Sequence, residues 1–233
     1  MPSSKDYIKV LTSWTEAAVK HLYSPVDKPD FVSYGTGYDN WGVQTHQKAF
    51  SAFAVVATDP WVKKTIGSQQ EELLECALKM LRFNLESHKT GNYTCLDGKK
   101  WGRTWISMLG IERMMHGIDA ISSKMSQEDF DSLKRVMLCE ANYLVDEVEV
   151  KAGRTTNNRP ESNIWSGTYL YRTAMMYPQA DRREEYLEKG TCFLVNGISL
   201  AADSSNSEVI NGRPVATWFV GDNFFDSFAL NHH

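Results

Sequence analysis

Four stretches combine residue types that could do chemistry. The first reads Tyr34-Gly35-Thr36-Gly37-Tyr38-Asp39-Asn40-Trp41-Gly42, followed by Gln44, His46 and Gln47. The second is Asp97-Gly98-Lys99-Lys100-Trp101-Gly102-Arg103-Thr104-Trp105. The third is Thr155-Thr156-Asn157-Asn158-Arg159-Pro160-Glu161-Ser162-Asn163-Ile164-Trp165. The fourth is Asp222-Asn223-Phe224-Phe225-Asp226-Ser227, with Asn231-His232-His233 behind it. Indoles beside amides suit a sugar, whose C–H face packs on the ring while amides bond its hydroxyls. Arg159 can pair bidentately with a carboxylate and Asn163 can add a hydrogen bond. Histidine is the usual proton acceptor near neutral pH, which makes His232 and His233 candidates for a base.

Each stretch also has a plainer reading, and the sequence leaves both open. The first suits a packed loop closed by its own aromatic side chains, and His46 alone fits a hydrogen-bonded structural residue better than a base. In the second, Lys99 and Lys100 fit solvated surface charges, whereas Arg103 between two tryptophans fits a site. Positive charge at a helix start opposes the helix dipole, and an anionic ligand would relieve that conflict. In the third, Asn163 can make a local cap or turn bond, and Glu161 is an acid or base or simply an N-terminal charge. In the fourth, the histidines also fit a purification-tag remnant or part of an incomplete metal-ligand set. No metal and no cofactor are expected.

Helical periodicity places these stretches between helices over 5–22, 43–57, 60–87 (with a break near Gly67), 101–121, 126–150, 160–177 and 181–202. Pro60 and Pro160 fit first turns, where a missing N–H costs nothing. Ser126 with Asp129, and Asp181 with Glu184, resemble capping boxes. Pro178 stops the sixth helix. The first helix carries Ile8, Leu11, Trp14, Ala18 and Leu22 as its apolar stripe. Residues 148–150 and 209–215 could form short strands, and Asn211-Gly212 is a hairpin turn signal. Connections alternate long and short, so in an antiparallel array every long one falls on the same rim. Trp41, Trp101, Asn163 and Asn223 mark loop-to-helix junctions spaced by 60, 62 and 60 residues, a pattern suggesting a repeated helix pair. The expected fold is all-α, an incomplete α/α toroid of antiparallel helix pairs with long loops on one rim. Residues 1–233 would be the N-terminal part of such a catalytic domain, truncated before further helix pairs and a β-sheet domain. Exposed helix faces of the fragment would then favour self-association.

The chain has 233 residues and a net charge of −4, which gives no support for nucleic-acid binding. Cys76, Cys95, Cys139 and Cys192 form no Cys-x-x-Cys pair. Three of them fall on helical patterns and read as buried thiols. Residues 1–10 show neither an apolar run nor a cleavage site, and no stretch is long and apolar enough to span a membrane. The expectation is a cytoplasmic protein, or a secreted or periplasmic one if the N-terminus is incomplete.

Glu161-Ser162-Asn163-Ile164-Trp165, Phe219-Val220-Gly221-Asp222-Asn223-Phe224-Phe225 and Asn231-His232-His233 resemble the α/α-toroid polysaccharide lyases of the heparinase II/III-like group. The nearest likeness is to lyases that cut a rhamnose–glucuronate linkage. The resemblance implies β-elimination at a uronate in an acidic oligosaccharide or polysaccharide. One group must neutralise the carboxylate, a base must take the C5 proton, and an acid must protonate the leaving oxygen. It implies Asn163 and Arg103 for the first role, His232 or His233 as base, and Tyr38 or a tyrosine beyond 233 as acid. Trp41, Gln44, Trp101, Arg159, Glu161, Trp165, Asn223 and Asn231 would bind substrate. Two alternatives remain. An inverting glycoside hydrolase on the same fold would pair Glu161 with Asp39 or Asp222. A non-catalytic carbohydrate-binding protein would keep the aromatics and need no base.

Overall fold

The computed structural model describes residues 3–62, 69–150 and 160–198 and the paired residues 209–210 and 213–214. The chain forms two compact units, 1–137 and 138–233, with the boundary inside one helix. The first unit runs through α1 (Ser4–Ala18), a 3₁₀ turn, β1 (Leu22–Tyr23), β2 (Ser33–Tyr34), α2 (Trp41–Thr58), α3 (Gln69–Ser87), α4 (Ser107–Ile121) and the start of α5 (Gln127–Asp146). The second holds the rest of α5, then α6 (Pro160–Met176), α7 (Arg183–Ile198), β3 (Val209–Ile210) and β4 (Arg213–Pro214). Helix dominates the described residues, as the periodicity predicts. The β3–β4 ribbon pairs antiparallel around 211–212, where Asn-Gly predicts a turn. The β1–β2 ribbon lies in a segment expected to be all loop.

α2 is the axis of the first unit. Its buried set includes Val43, Gln44, His46, Gln47, Phe50, Phe53, Ala54 and Val56, too broad for a single amphipathic stripe. A helix buried on most sides needs neighbours on most sides, and α3 and α4 both pack on it. Burying Phe50, Phe53 and Phe83 contributes roughly 1.5–3 kcal/mol each. The approach of α4 requires Gly117, because a Cβ there would lie 2.8 Å from the Ser51 Cα. Ser51 Oγ exploits that proximity, accepting from the Gly117 N–H at 3.1 Å and donating to the Arg113 carbonyl.

His46 ties this axis to the β1–β2 ribbon. Its Nδ1 accepts from the Tyr34 N–H at 3.0 Å, so Nε2 carries the proton and donates to the Met80 carbonyl at 2.9 Å. Burial pushes its pKa down to about 4 against the Met80 bond, which favours the charged form. The ring is therefore neutral and structural.

Several boundaries differ from expectation. α4 begins at Ser107 rather than 101, because Trp101 forms a bridge with His88 and Thr104 and Ser107 turn the chain, with Ser107 N–H donating to the Thr104 carbonyl at 3.1 Å. Helices thus start at 41, 107 and 160, and the even 60-residue spacing does not describe them. α5 ends at Asp146, and 148–150 form no strand. α7 starts at Arg183, because Arg182, not Asp181, stands at the cap and its carbonyl accepts from Tyr186 N–H at 3.0 Å. On α1 the buried face holds Thr12, Thr15 and Ala18. Trp14 is exposed instead and meets Tyr34 and Phe53 edgewise. The Ser126–Asp129 capping box is present, with Asp129 N–H donating to Ser126 Oγ at 3.1 Å and Ser126 N–H to Asp129 Oδ2 at 3.0 Å.

In the second unit α6 and α7 pack where Gly167 faces Gly190; a Cβ on Gly167 would lie 2.9 Å from the Gly190 carbonyl oxygen. Arg182 holds Asp146 bidentately at 2.9 and 2.7 Å and also bonds Glu185 and Asn142. Of the cysteines, Cys95 is buried and Cys76 and Cys139 half-buried, whereas Cys192 is exposed on α7, a correction to the buried reading. Burial pushes the Cys95 thiol up to about 12 and the Cys76 thiol up to about 11, so both stay protonated. No described helix is long and apolar enough to cross a membrane.

Candidate functional site

Two of the long loops meet in the first unit. Leu96 N–H donates to the Gly37 carbonyl at 2.9 Å, and Asp39 N–H donates to Asp97 Oδ1 at 3.3 Å. Gly37 allows this docking: its φ is +58°, and a Cβ there would sit 2.3 Å from Ser33 Oγ. Asp97-Gly98 turns the second loop, with Gly98 N–H donating to the Cys95 carbonyl at 2.9 Å.

Trp101 anchors the return of that loop. Its Nε1 donates to the Asn84 carbonyl at 2.8 Å, and its ring meets His88 edgewise at 4.7 Å between centroids. The indole is buried, so it is a wall and not a stacking platform. Past it, Arg103 adopts φ +50°, as Asn40 in the opposing loop adopts φ 66° and ψ −115°. The Asn40 conformation is one that side-chain-bearing residues avoid, and such strain costs on the order of 1–3 kcal/mol. Asn40 also leaves the first turn of α2 without a side-chain cap.

Between these loops lies a cleft of about 10 Å³ lined by Asp39, Asn40, Gln44, Gln47, Trp101 and Thr104 among others. That is room for about one water-sized group. Gln44 forms its floor. The residue is 1% exposed, and neither its Nε2 nor its Oε1 has a protein partner. A buried unsatisfied polar group costs about 1–3 kcal/mol, and an amide carries both a donor and an acceptor. Gln47 Nε2 reaches Asn84 Oδ1 at 3.4 Å, while Asn84 Nδ2 is unpartnered. Trp41 and Trp105 are 54% and 46% exposed and meet edge to face, 6.0 Å apart at 76°. Tyr38 is also exposed.

The structure thus brings together Trp41, Gln44 and Trp101, with Arg103 in the adjoining loop. It also exposes what the sequence reading missed. Asn84 follows Leu81 and precedes Leu85 on the buried face of α3, and a polar residue interrupting an apolar stripe is the signal that points to it. Lys99, Lys100 and Arg103 do not sit at a helix start, since α4 opens later. Lys99 lies 3.7 Å from Asp97, and Lys100 donates to the Gly91 carbonyl. The dipole conflict that an anion was expected to relieve is absent.

In the second unit Asn163 is 4% exposed on the first turns of α6, with Glu161 and Trp165 half-buried beside it. Arg159, Asp222, Asn223, Asn231, His232 and His233 lie outside the described residues, as does the 219–225 motif.

A second, larger cleft of about 730 Å³ in the first unit is lined by Asp27, Phe31, Arg82, Glu86, Tyr93 and Asp129 among others. Its central groups are paired. Arg82 holds Asp129 at 2.9 and 3.2 Å, Arg135 and Ser132 bond Glu86, and Tyr93 Oη donates to Asp27 at 3.2 Å. Burial raises the Asp129 carboxyl, but the Arg82 and Ser126 bonds outweigh it and hold the carboxyl below its ordinary value.

Neither family models, curated proteins nor solved structures yield a match to this chain.

Proposed function

We propose that the chain handles an acidic glycan, as part of a polysaccharide lyase that cleaves a uronate linkage by β-elimination. The observation that carries the carbohydrate part is the Gln44 amide. It is buried without a protein partner, at the floor of a cleft set between loops that expose Tyr38, Trp41 and Trp105. A flat, hydroxyl-rich ligand meets both needs, packing on indoles and supplying the bonds the amide lacks. The eliminating step rests on the resemblance of 161–165, 219–225 and 231–233 to toroid lyases, and the toroid arrangement belongs to the same proposal.

In this reading Asn163 bonds the uronate carboxylate, assisted by Arg103 or Arg159. His232 or His233 takes the proton from C5, the C4–O bond breaks as the C4–C5 double bond forms, and Tyr38 or a tyrosine elsewhere protonates the leaving oxygen. Bonds to the carboxylate strengthen as charge moves onto it, the differential binding that catalysis requires. Incubation with a glucuronate-containing glycan tests this. A lyase produces the absorbance of an unsaturated uronate; new reducing ends without it indicate a hydrolase, and binding without either indicates a non-catalytic protein. Replacing Asn163 with Ala should lower kcat by about 10²–10³ with a smaller effect on KM. Unchanged turnover per folded molecule would make Asn163 a structural cap.

A further inference from the structure

We propose that the Gln44 cleft is a subsite for a neutral sugar, which it reads through one hydroxyl group, and that an acidic sugar's carboxylate is held elsewhere. The inference rests on the reading that this rim binds saccharide, and it names which sugar chemistry enters here.

Three independent features point the same way. The first is hydrogen-bond sign. Both Gln44 side-chain atoms lack partners: Nε2 offers donors, and Oε1 is an acceptor. A hydroxyl accepts from one and donates to the other. A carboxylate only accepts, so it would leave Oε1 buried and unsatisfied and would set a second oxygen charge beside it. The second is charge. Asp39 is the one ionisable side chain among the residues lining the cleft. An entering carboxylate would meet a like charge there without a cation in the lining, whereas a hydroxyl pays no such penalty. The third is size. A volume of about 10 Å³ admits about one oxygen-sized group, which a single hydroxyl fills. Trp41 and Trp105 stand exposed on the adjoining chain, where a pyranose face can pack while one of its hydroxyls reaches Gln44.

The arrangement also separates two tasks that the sequence assigned to one set of residues. Arg103, expected to hold a carboxylate, is not part of this lining. Gln44 acts as a specificity-determining residue for the neutral unit, and the uronate is left to other residues.

The test titrates the whole chain with methyl glycosides of glucose, galactose and mannose, and separately with methyl β-D-glucuronide, followed by tryptophan fluorescence. At least one neutral glycoside should bind about tenfold or more tightly than the glucuronide, a difference of about 1.4 kcal/mol. Gln44→Leu, with its fold checked by thermal melting, should lose that affinity by about tenfold or more. Asp39→Asn should narrow the gap by improving glucuronide binding. Glucuronide binding as tight as the best neutral glycoside in the wild-type chain would overturn the neutral subsite and leave the saccharide reading standing. So would neutral binding that survives Gln44→Leu unchanged. Binding of none of these sugars would overturn the saccharide reading and this inference with it.

Discussion

The cleft lined by Phe31, Tyr93, Arg82 and Asp129 has a volume of about 730 Å³, and the one floored by Gln44 about 10 Å³. By size the first is the site. By hydrogen bonding it is the reverse, because Arg82, Asp129, Glu86, Tyr93 and Asp27 are bonded within the fold, whereas both polar atoms of Gln44 are buried and unpartnered. A carboxylate held by a guanidinium and a helix cap stabilises the fold and has little left to offer a ligand. An orphan amide destabilises the fold and has its full bonding capacity left. The backbone repeats the contrast: the larger cleft contains a regular capping box at the start of α5, and the smaller is bordered by the strained Asn40. Unsatisfied polarity and local strain, more than volume, set the Gln44 cleft apart as the candidate site.

Breaking the larger cleft should cost stability and not binding. Asp129→Ala removes the Arg82 pair and the Ser126 cap together. The expected loss is about 3 kcal/mol, the lower end for a buried pair because Arg82 is partly exposed. Urea unfolding measures it, and sugar affinity per folded molecule should not change. Lost affinity in a chain that unfolds at the wild-type midpoint would reverse the roles of the two clefts.

A similar magnitude is expected from pH through His46, which lies in neither lining. In the unfolded chain the ring takes its proton near 6.5, and in the folded one only near 4. Between those values acid favours the unfolded state, so stability is complete above 6.5 and falls as pH drops, by about 3 kcal/mol in all. Unfolding curves across that range should show the slope, and His46→Gln should flatten it; equal slopes in both proteins would remove the neutral, buried assignment.

Smaller still is Gly110→Ala. The new Cβ would sit 1.8 Å from Gln47 Oε1, so the amide must swing away. The expected cost is about 1–2 kcal/mol, with weakened sugar binding because Gln47 shares the cleft lining with Gln44. Full retention of binding would confine the recognition to Gln44. Trp41→Ala should change stability least, by under about 1 kcal/mol, since about half of the residue is exposed, yet it should weaken sugar binding and lower the fluorescence response.

What the sequence made legible followed from local chemistry. Pro160 at the start of α6 and Ser126 with Asp129 each impose structure within a few residues. Trp41 and Gln44 were legible as candidates because aromatic and amide types cluster at the start of α2. The delayed start of α4 was not legible. It depends on Trp101 bonding the end of α3, a long-range event with no mark in the local pattern. Nor did α1's apolar residues reveal that Thr12 and Thr15 face inward. Asn84 was readable only as an oddity in the α3 stripe, since its meaning depends on Gln47 and Trp101 arriving from other elements.

The most direct test of the account measures stability and sugar binding together on Gln44→Leu. The substitution keeps roughly the same volume and deletes the two orphan atoms, so the account predicts a chain as stable as wild type or more so, by up to about 1–3 kcal/mol, that binds neutral glycoside about tenfold or more weakly. A chain that is destabilised and still binds with wild-type affinity would show that the amide serves the fold, and the central claim would fall.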